Sequence, residues 1–371
     1  MQNKFFPEIH NNFGFGMMRL PMLGDEVDIA QTRQMVDAFL SAGFNYFDTA
    51  HGYIGGRSEL AIRETLTGRY PRDRYILTDK LTGSYFEKQE DIVPLFEKQL
   101  AACGVDYFDF YLMHSQDAAS FEKFKRCRAY ETALELKEQG RVKHVGLSFH
   151  DKADVLERIL TEYPQMEVVQ IQFNYLDYED PSVESRKVYE VCEKFGKPVI
   201  VMEPVKGGKL VSLPEEAHRI LADLGGGSDA SYAIRYAASF PQICMVLSGM
   251  SDTVQMADNL SFMRDFRPMD DRELAAVEKV RDILSSMGTV PCTGCRYCTE
   301  GCPMGIRIPD ILAYLNEKIM FNQWNEYFYR REAIRNASAS DCIKCGQCED
   351  ICPQHLPIRD LLEQAAEVFE R

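Results

Sequence analysis

The sequence has no apolar run approaching the roughly 20 residues that a membrane-spanning helix requires, so a helical membrane protein is excluded. Basic residues are in deficit, 42 against 57 acidic ones, for a net charge of -15. A surface of that sign repels phosphate backbones and anionic lipid, so neither nucleic acid nor a membrane is an expected partner. Low-complexity sequence is missing, apart from the short Gly225-Gly226-Gly227 loop. The segment Met1 to Gly16 shows no basic stretch followed by an apolar one, and a reducing, cytoplasmic setting is therefore expected.

What the sequence does have is cysteine, 12 in all. Cys103, Cys127, Cys192 and Cys244 sit singly among apolar or helical residues and read as buried, reduced thiols. The other eight fall into two runs of one pattern, Cys292-x2-Cys295-x2-Cys298-x3-Cys302-Pro303 and Cys342-x2-Cys345-x2-Cys348-x3-Cys352-Pro353. This is the spacing with which bacterial ferredoxins hold two 4Fe-4S clusters. A cubane needs four converging thiolates. Three come from one tight loop, and the fourth comes from the other run because the chain turns away at Cys-Pro. The expected ligand sets are therefore Cys292, Cys295, Cys298 and Cys352 for one cluster, and Cys342, Cys345, Cys348 and Cys302 for the other. Zinc would leave a third cysteine and the Cys-Pro surplus in each run, and a disulfide framework would need an oxidising compartment.

The runs belong to an internal repeat, since an offset of 50 residues also matches Ile308 to Ile358, Asp310 to Asp360 and Leu312 to Leu362. Each cysteine loop should feed a helix, with Pro309 and Asp310 suited to the first turn of one of them. Between the runs, Phe321, Trp324, Tyr327, Phe328 and Tyr329 form an aromatic patch expected to dock the cysteine-rich part onto something else.

Upstream, β-rich runs alternate with helical stretches. The expected strands are Phe13 to Leu20, Phe44 to Phe47, Tyr75 to Thr78, Phe108 to Met113, Val142 to Leu147, Val168 to Phe173, Pro198 to Met202 and Cys244 to Leu247. Helical periodicity marks Ile29 to Ala42, Ile92 to Ala102, Tyr130 to Gln139, Lys152 to Thr161, Val183 to Phe195 and Ala230 to Ser239. Eight such strands predict an α/β chain with a parallel (β/α)8 barrel over residues 1–285, its site at the C-terminal strand ends, and a two-cluster ferredoxin-like domain over 286–371. The alternative, a doubly wound sheet, would lack the Gly-x-Gly-x-x-Gly turn that dinucleotides use there.

At those strand ends stand Phe47-Asp48-Thr49-Ala50-His51-Gly52-Tyr53, Thr78-Asp79-Lys80 and Leu112-Met113-His114. Three consecutive strands thus deliver Asp48, Lys80 and His114 to one rim, with Tyr53 five residues past the aspartate. From about Phe13 to Asn259 the chain resembles the aldo-keto reductase family, whose Asp-Tyr-Lys-His tetrad occupies these positions. With the cysteine runs included, it resembles the bacterial group of that family carrying a C-terminal dicluster ferredoxin domain. The chemistry suits the residue types. A carbonyl receiving hydride develops an oxyanion, Tyr53 is a neutral acid able to protonate it, and an adjacent Lys80 ammonium eases release of that proton. Asp48 would hold Lys80, and His114 would orient the carbonyl oxygen.

The resemblance also implies a nicotinamide site. Ser148 and Gln170 match residues that hold the carboxamide, and Asn259 matches one on the adenosine side. The family's Asn is Phe149 here, its stacking aromatic is Met202, and the phosphate segment from Ser248 to Gln255 contains no base. Little preference for NADPH over NADH follows, unless Lys206 or Lys209 supplies the missing charge. The expected function is hydride exchange between NAD(P)H and a carbonyl or alcohol, with two clusters for electron transfer. Because clusters pass one electron at a time, a flavin or a redox partner protein is a further expectation. The alternative roles are a partner-driven redox protein and a barrel with purely structural clusters.

Overall fold

The computed structural model describes residues 3–322 and 326–370. Eight strands close into a parallel barrel: β1 Phe13–Gly16, β2 Tyr46–Asp48, β3 Ile76–Leu81, β4 Phe108–Gln116, β5 Val142–Phe149, β6 Val168–Gln172, β7 Val199–Met202 and β8 Ile243–Ser248. Neighbours in sequence are neighbours in the barrel, and β8 closes on β1. All eight expected strands are present, and so are the six helices expected between them. The first strand stops at Gly16 instead of running to Leu20: the Met17 amide makes the last bond to the neighbouring strand, to Asp48 O at 2.9 Å, and the chain turns there.

A strand's side chains alternate between its faces, and the register decides which ones share a layer. Tyr46, Ile76, Phe110, Leu112, Val168, Ile200, Met245 and Leu247 pack together inside the barrel. Two-residue steps from these put Asp48, Lys80, His114, Gln170 and Met202 on the same inner face at the C-terminal end. The pairings Asp48 with Thr78, Lys80 with Leu112, and Ser148 with Gln170 set their heights. Room inside is tight at β5, where a Cβ on Gly146 would come within 2.3 Å of Val168 O. The opposite mouth is plugged by the N-terminal segment, with Phe6 edge-on to Phe110 at 4.9 Å between centroids. The outward strand residues bury against the surrounding helices, the last of which is Asp271–Ser285.

The segment that follows is a duplicated loop-helix unit. Short helices Tyr297–Glu300 and Gln347–Asp350 correspond at the 50-residue offset, as do the long ones Ile308–Phe321 and Ile358–Phe369. The repeat extends to the backbone, since Gly294 and Lys344, Arg296 and Gly346, and Gly305 and His355 all take positive φ. Pro309 does occupy the first turn of its helix, where its missing amide costs little.

The aromatic patch divides. Phe321 is buried with the barrel core, which fits the docking expectation. Tyr329 instead packs within the tail, 4.8 Å from Phe369 between centroids, while Tyr327 is exposed. Tyr327 and Tyr329 stand two residues apart on the helix Glu326–Arg335, so they point to different sides of it. Trp324 and the side chain of Phe328 lie outside the described residues.

Candidate active site

Lys80 is fully buried, and its ammonium donates to Asp48 Oδ1 at 2.6 Å and Thr49 O at 2.7 Å, with Tyr53 Oη at 3.5 Å. A buried charge is tolerable only when so satisfied. Burial works against the Lys80 charge, but Asp48 and Tyr53 outweigh it and hold the pKa above that of an ordinary lysine. Tyr53 is raised by burial, opposed by the Lys80 ammonium, so it stands protonated at neutral pH. His114 lies edge-on to Tyr53 at 5.9 Å between centroids, and its Nδ1 shares a 2.7 Å hydrogen bond with Thr82 Oγ1. Burial, and then the Lys80 charge, push the imidazole well below its usual pKa, leaving it neutral. The four expected residues therefore meet at one place.

Tyr53 owes its position to the loop after β2. The Thr49 hydroxyl bonds Ser58 Oγ at 2.8 Å, and Ser58 bonds Met17 O at 2.9 Å. Directly after Tyr53 the chain passes through Ile54, Gly55 and Gly56 with φ of 53°, 63° and 87°. A β-branched residue in the left-handed region is strained, and two glycines beside it let the chain reverse there.

Sequence reasoning missed a second buried group behind Lys80. Asp79, on the outer face of β3, faces Glu59 and Cys103, with ligating atoms of all three within 4.8 Å and all three side chains buried. Burial, and then the nearby Glu59 charge, push the Asp79 carboxyl well up. Glu59 also accepts from His51 Nδ1 at 3.0 Å, and Asp79 accepts from the Lys80 amide at 2.7 Å. The alternation of a strand was the available signal: if Lys80 points in, Asp79 points out into the helix layer.

The expected nicotinamide residues separate into two groups. Ser148 and Gln170 sit buried on the inner face, where Ser148 accepts from the Ser115 amide at 3.0 Å and Gln170 Nε2 lies 3.4 Å from Asp48 Oδ2. Met202 ends β7, half-buried. Asn259 is further out and donates to Ser248 Oγ at 2.8 Å. It lines a groove of about 530 Å³ with Arg19, Glu203, Gly249, Gln255 and Asp258 among others. The segment from Ser248 to Gln255 does border this groove, but Lys206 and Lys209 do not. Lys206 is tied to buried Asp177 at 2.5 Å, and Lys209 lies 3.6 Å from Glu317. The base that does line the groove is Arg19, whose stem packs against Gly249 so closely that a Cβ there would meet it at 3.4 Å.

In the tail, Cys292, Cys295, Cys298 and Cys352 line one small cavity, and Cys302, Cys342, Cys345 and Cys348 line another. Each group joins three cysteines of one run to the last of the other. Their chemistry suits iron, since four soft thiols converge among apolar residues, and the Ile306 amide donates to Cys302 Sγ at 3.4 Å.

The pattern describing the aldo/keto reductase family matches residues 12–282, and that of a 4Fe-4S dicluster domain matches residues 291–356. A 26% identity over 196 residues relates the chain to the NADH-specific methylglyoxal reductase of Escherichia coli, covering 47% of this chain and 57% of that protein. An aldo-keto reductase of Mycobacterium avium is 24% identical over 271 residues, 71% of this chain and 87% of that one. Among solved structures, an aldo-keto reductase from Klebsiella pneumoniae in complex with NADPH superposes with a TM-score of 0.60 at 18% identity, covering 73% of this chain and 90% of that one. The holo form of one from Bacillus halodurans gives 0.60 at 24% identity, over 73% and 92%. With a closed parallel barrel and a family match across most of its length, the chain belongs to the aldo/keto reductase family, and a 4Fe-4S dicluster domain follows its barrel.

Proposed function

We propose that the barrel reduces small carbonyl compounds with a nicotinamide dinucleotide, and that the tail holds two 4Fe-4S clusters with crossed fourth ligands. The observation that carries the first part is the buried Lys80, bonded to Asp48 at 2.6 Å and reaching Tyr53 Oη at 3.5 Å. Bound dinucleotide supplies the hydride. Neutral His114 is placed to donate to the carbonyl oxygen, which fixes the substrate and takes up part of the developing charge. Tyr53 then gives its proton to that oxygen, and the Lys80 ammonium stabilises the phenolate left behind. Asp48 keeps Lys80 charged and pointed inward. Ser148 and Gln170 line the inner rim where a carboxamide would lie. The groove of Arg19 and Asn259 suits the rest of the dinucleotide.

Arg19 is the one base among the groove residues named, against Glu203 and Asp258, so a second phosphate on the ribose finds little to hold it. NADH should therefore serve at least as well as NADPH, in keeping with the NADH-specific relative. Methylglyoxal and other small ketoaldehydes are the first substrates to try. Anaerobic protein given NADH deuterated at the reactive carbon should place the label on the carbonyl carbon of the product. Product without label would sink the hydride reading.

A further inference from the structure

Of the two cysteine loops, the first is bonded to the barrel. The Lys152 ammonium donates to Thr293 O at 3.1 Å and also to the Pro181 carbonyl, pinning the cysteine loop to a barrel loop. Gly294 sits beside Ser182, which a Cβ on the glycine would meet at 3.4 Å. In the second loop the matching residues turn elsewhere: Ile343 is 61% exposed, and Lys344 pairs with Glu363 of the tail at 3.1 Å. The thiols of Cys292, Cys295, Cys298 and Cys352 therefore form the barrel-side group.

Between this loop and the ends of β5 and β6 lies a cavity of about 370 Å³. Phe149, Ile171, Val183 and Val188 give it an apolar wall, and Cys295 and Arg296 close it from the tail. Its polar groups have unspent donors. His150 and Arg296 are exposed, and among the described residues neither side chain has a hydrogen-bond or ion-pair partner. The acid on the wall, Asp151, already accepts from the amides of Ala118 and Lys152, each at 2.9 Å. An aromatic and aliphatic wall, the Arg296 guanidinium, a neutral His150 imidazole able to donate and a cluster thiol together select a flat ring bearing an anionic tail. Phe149 stands where the family has an amide, so the departure from the family pattern falls on this wall.

We propose that this cavity is a flavin mononucleotide site, with the ring against Phe149 and Val183, the phosphate toward Arg296 and His150, and the barrel-side cluster beside it at Cys295. The inference rests on the reading that the tail holds two clusters. Two reduced clusters each give up one electron, and the oxidised ring takes both together with two protons from solvent, so the charge balances with no other reductant. A flavin is suited to this place because it accepts electrons singly.

The test uses full-length protein reconstituted anaerobically with iron and sulfide, titrated with flavin mononucleotide and followed by quenching of flavin fluorescence. One flavin should bind per chain in the micromolar range, and Val183→Trp, which fills the cavity, should weaken it at least tenfold. Arg296→Asn should do the same, since asparagine tolerates the φ of 66° that Arg296 adopts. Bound flavin should shift the electron paramagnetic resonance signal of the reduced barrel-side cluster, and the shift should persist in Cys345→Ser, which spares that cluster. Absence of binding, or binding undiminished by Val183→Trp, overturns the proposal. Iron content reports separately on the cluster reading, and NADH-dependent carbonyl reduction, unchanged in Val183→Trp, reports on the barrel.

Discussion

Around Tyr53 the charged and polar groups answer one another within the protein: Lys80 has Asp48 and the Thr49 carbonyl, Glu59 has His51, and Asp79 accepts from the Lys80 amide. In the tail, four thiols face each other across each of two cavities, and their nearest neighbours are apolar, such as Ile308, Leu312 and Leu356. The barrel site is built into a large core that folds by its own burial. The tail's core is small, and small domains of this kind usually need a metal to hold them. The contrast teaches that the polar groups around Tyr53 are held in place by protein alone, whereas on the proposed reading the tail takes its shape from what its cysteines bind.

The sharpest way to break that contrast is at Tyr53. Tyr53→Phe deletes only the proton donor, and turnover with a small carbonyl should fall by roughly 10²- to 10⁴-fold while dinucleotide affinity stays within about twofold. Steady-state kinetics and a binding titration check the two halves. Lys80→Met should be comparably severe for turnover, and it should also cost about 3–5 kcal/mol of stability by leaving Asp48 buried without its partner. Denaturant unfolding measures this, and a neutral effect would mean that water reaches Asp48.

On the tail side, Cys352→Ser should remove about half of the iron and spare the cluster of Cys302, Cys342, Cys345 and Cys348. Loss of the other cluster in the paramagnetic spectrum would show that each run keeps its own last cysteine. Smaller still is the effect expected at Arg19. Arg19→Ala should weaken NADH and NADPH alike by about tenfold, since one charge-assisted phosphate contact is at stake.

A further effect, on stability and not on turnover, sits behind the site. Because the Asp79 pKa is raised in the folded chain, the folded state keeps a proton that the unfolded state has lost. Stability should therefore fall as pH rises from the ordinary carboxylate range toward the raised pKa, by up to about 1.4 kcal/mol per pH unit. Asp79→Asn should flatten that slope in unfolding measured across pH.

Much of this was legible in the sequence, and the reasons for the rest are physical. Barrel strands are short, apolar and separated by turns, so eight of them could be read from composition and spacing. Helices Ala118–Arg126 and Glu215–Ala222 were missed because at 9 and 8 residues they show little more than two turns of periodicity, and Thr253–Met263 because its apolar and polar residues are mixed around the axis. Apolar content also misled at the end of β1, where Met18 is 44% exposed although it continues an apolar run. Asp48, Lys80 and His114 were recoverable because neighbouring strands stack consecutive segments. Arg19 was not, since it meets Gly249 only where β1 closes on β8. Lys206 and Lys209 looked free in sequence because their acidic partners, Asp177 and Glu317, come from distant segments.

The central claim is that carbonyl reduction belongs to the barrel and stands without iron in the tail. Deuteride transfer from labelled NADH to methylglyoxal, measured in protein stripped of iron and in protein fully loaded, tests it most directly. The predicted result is a rate within about twofold in the two preparations, alongside tail helices that melt when the iron is removed. Loss of transfer in iron-free protein whose barrel remains folded would contradict the account and put the clusters in the hydride step.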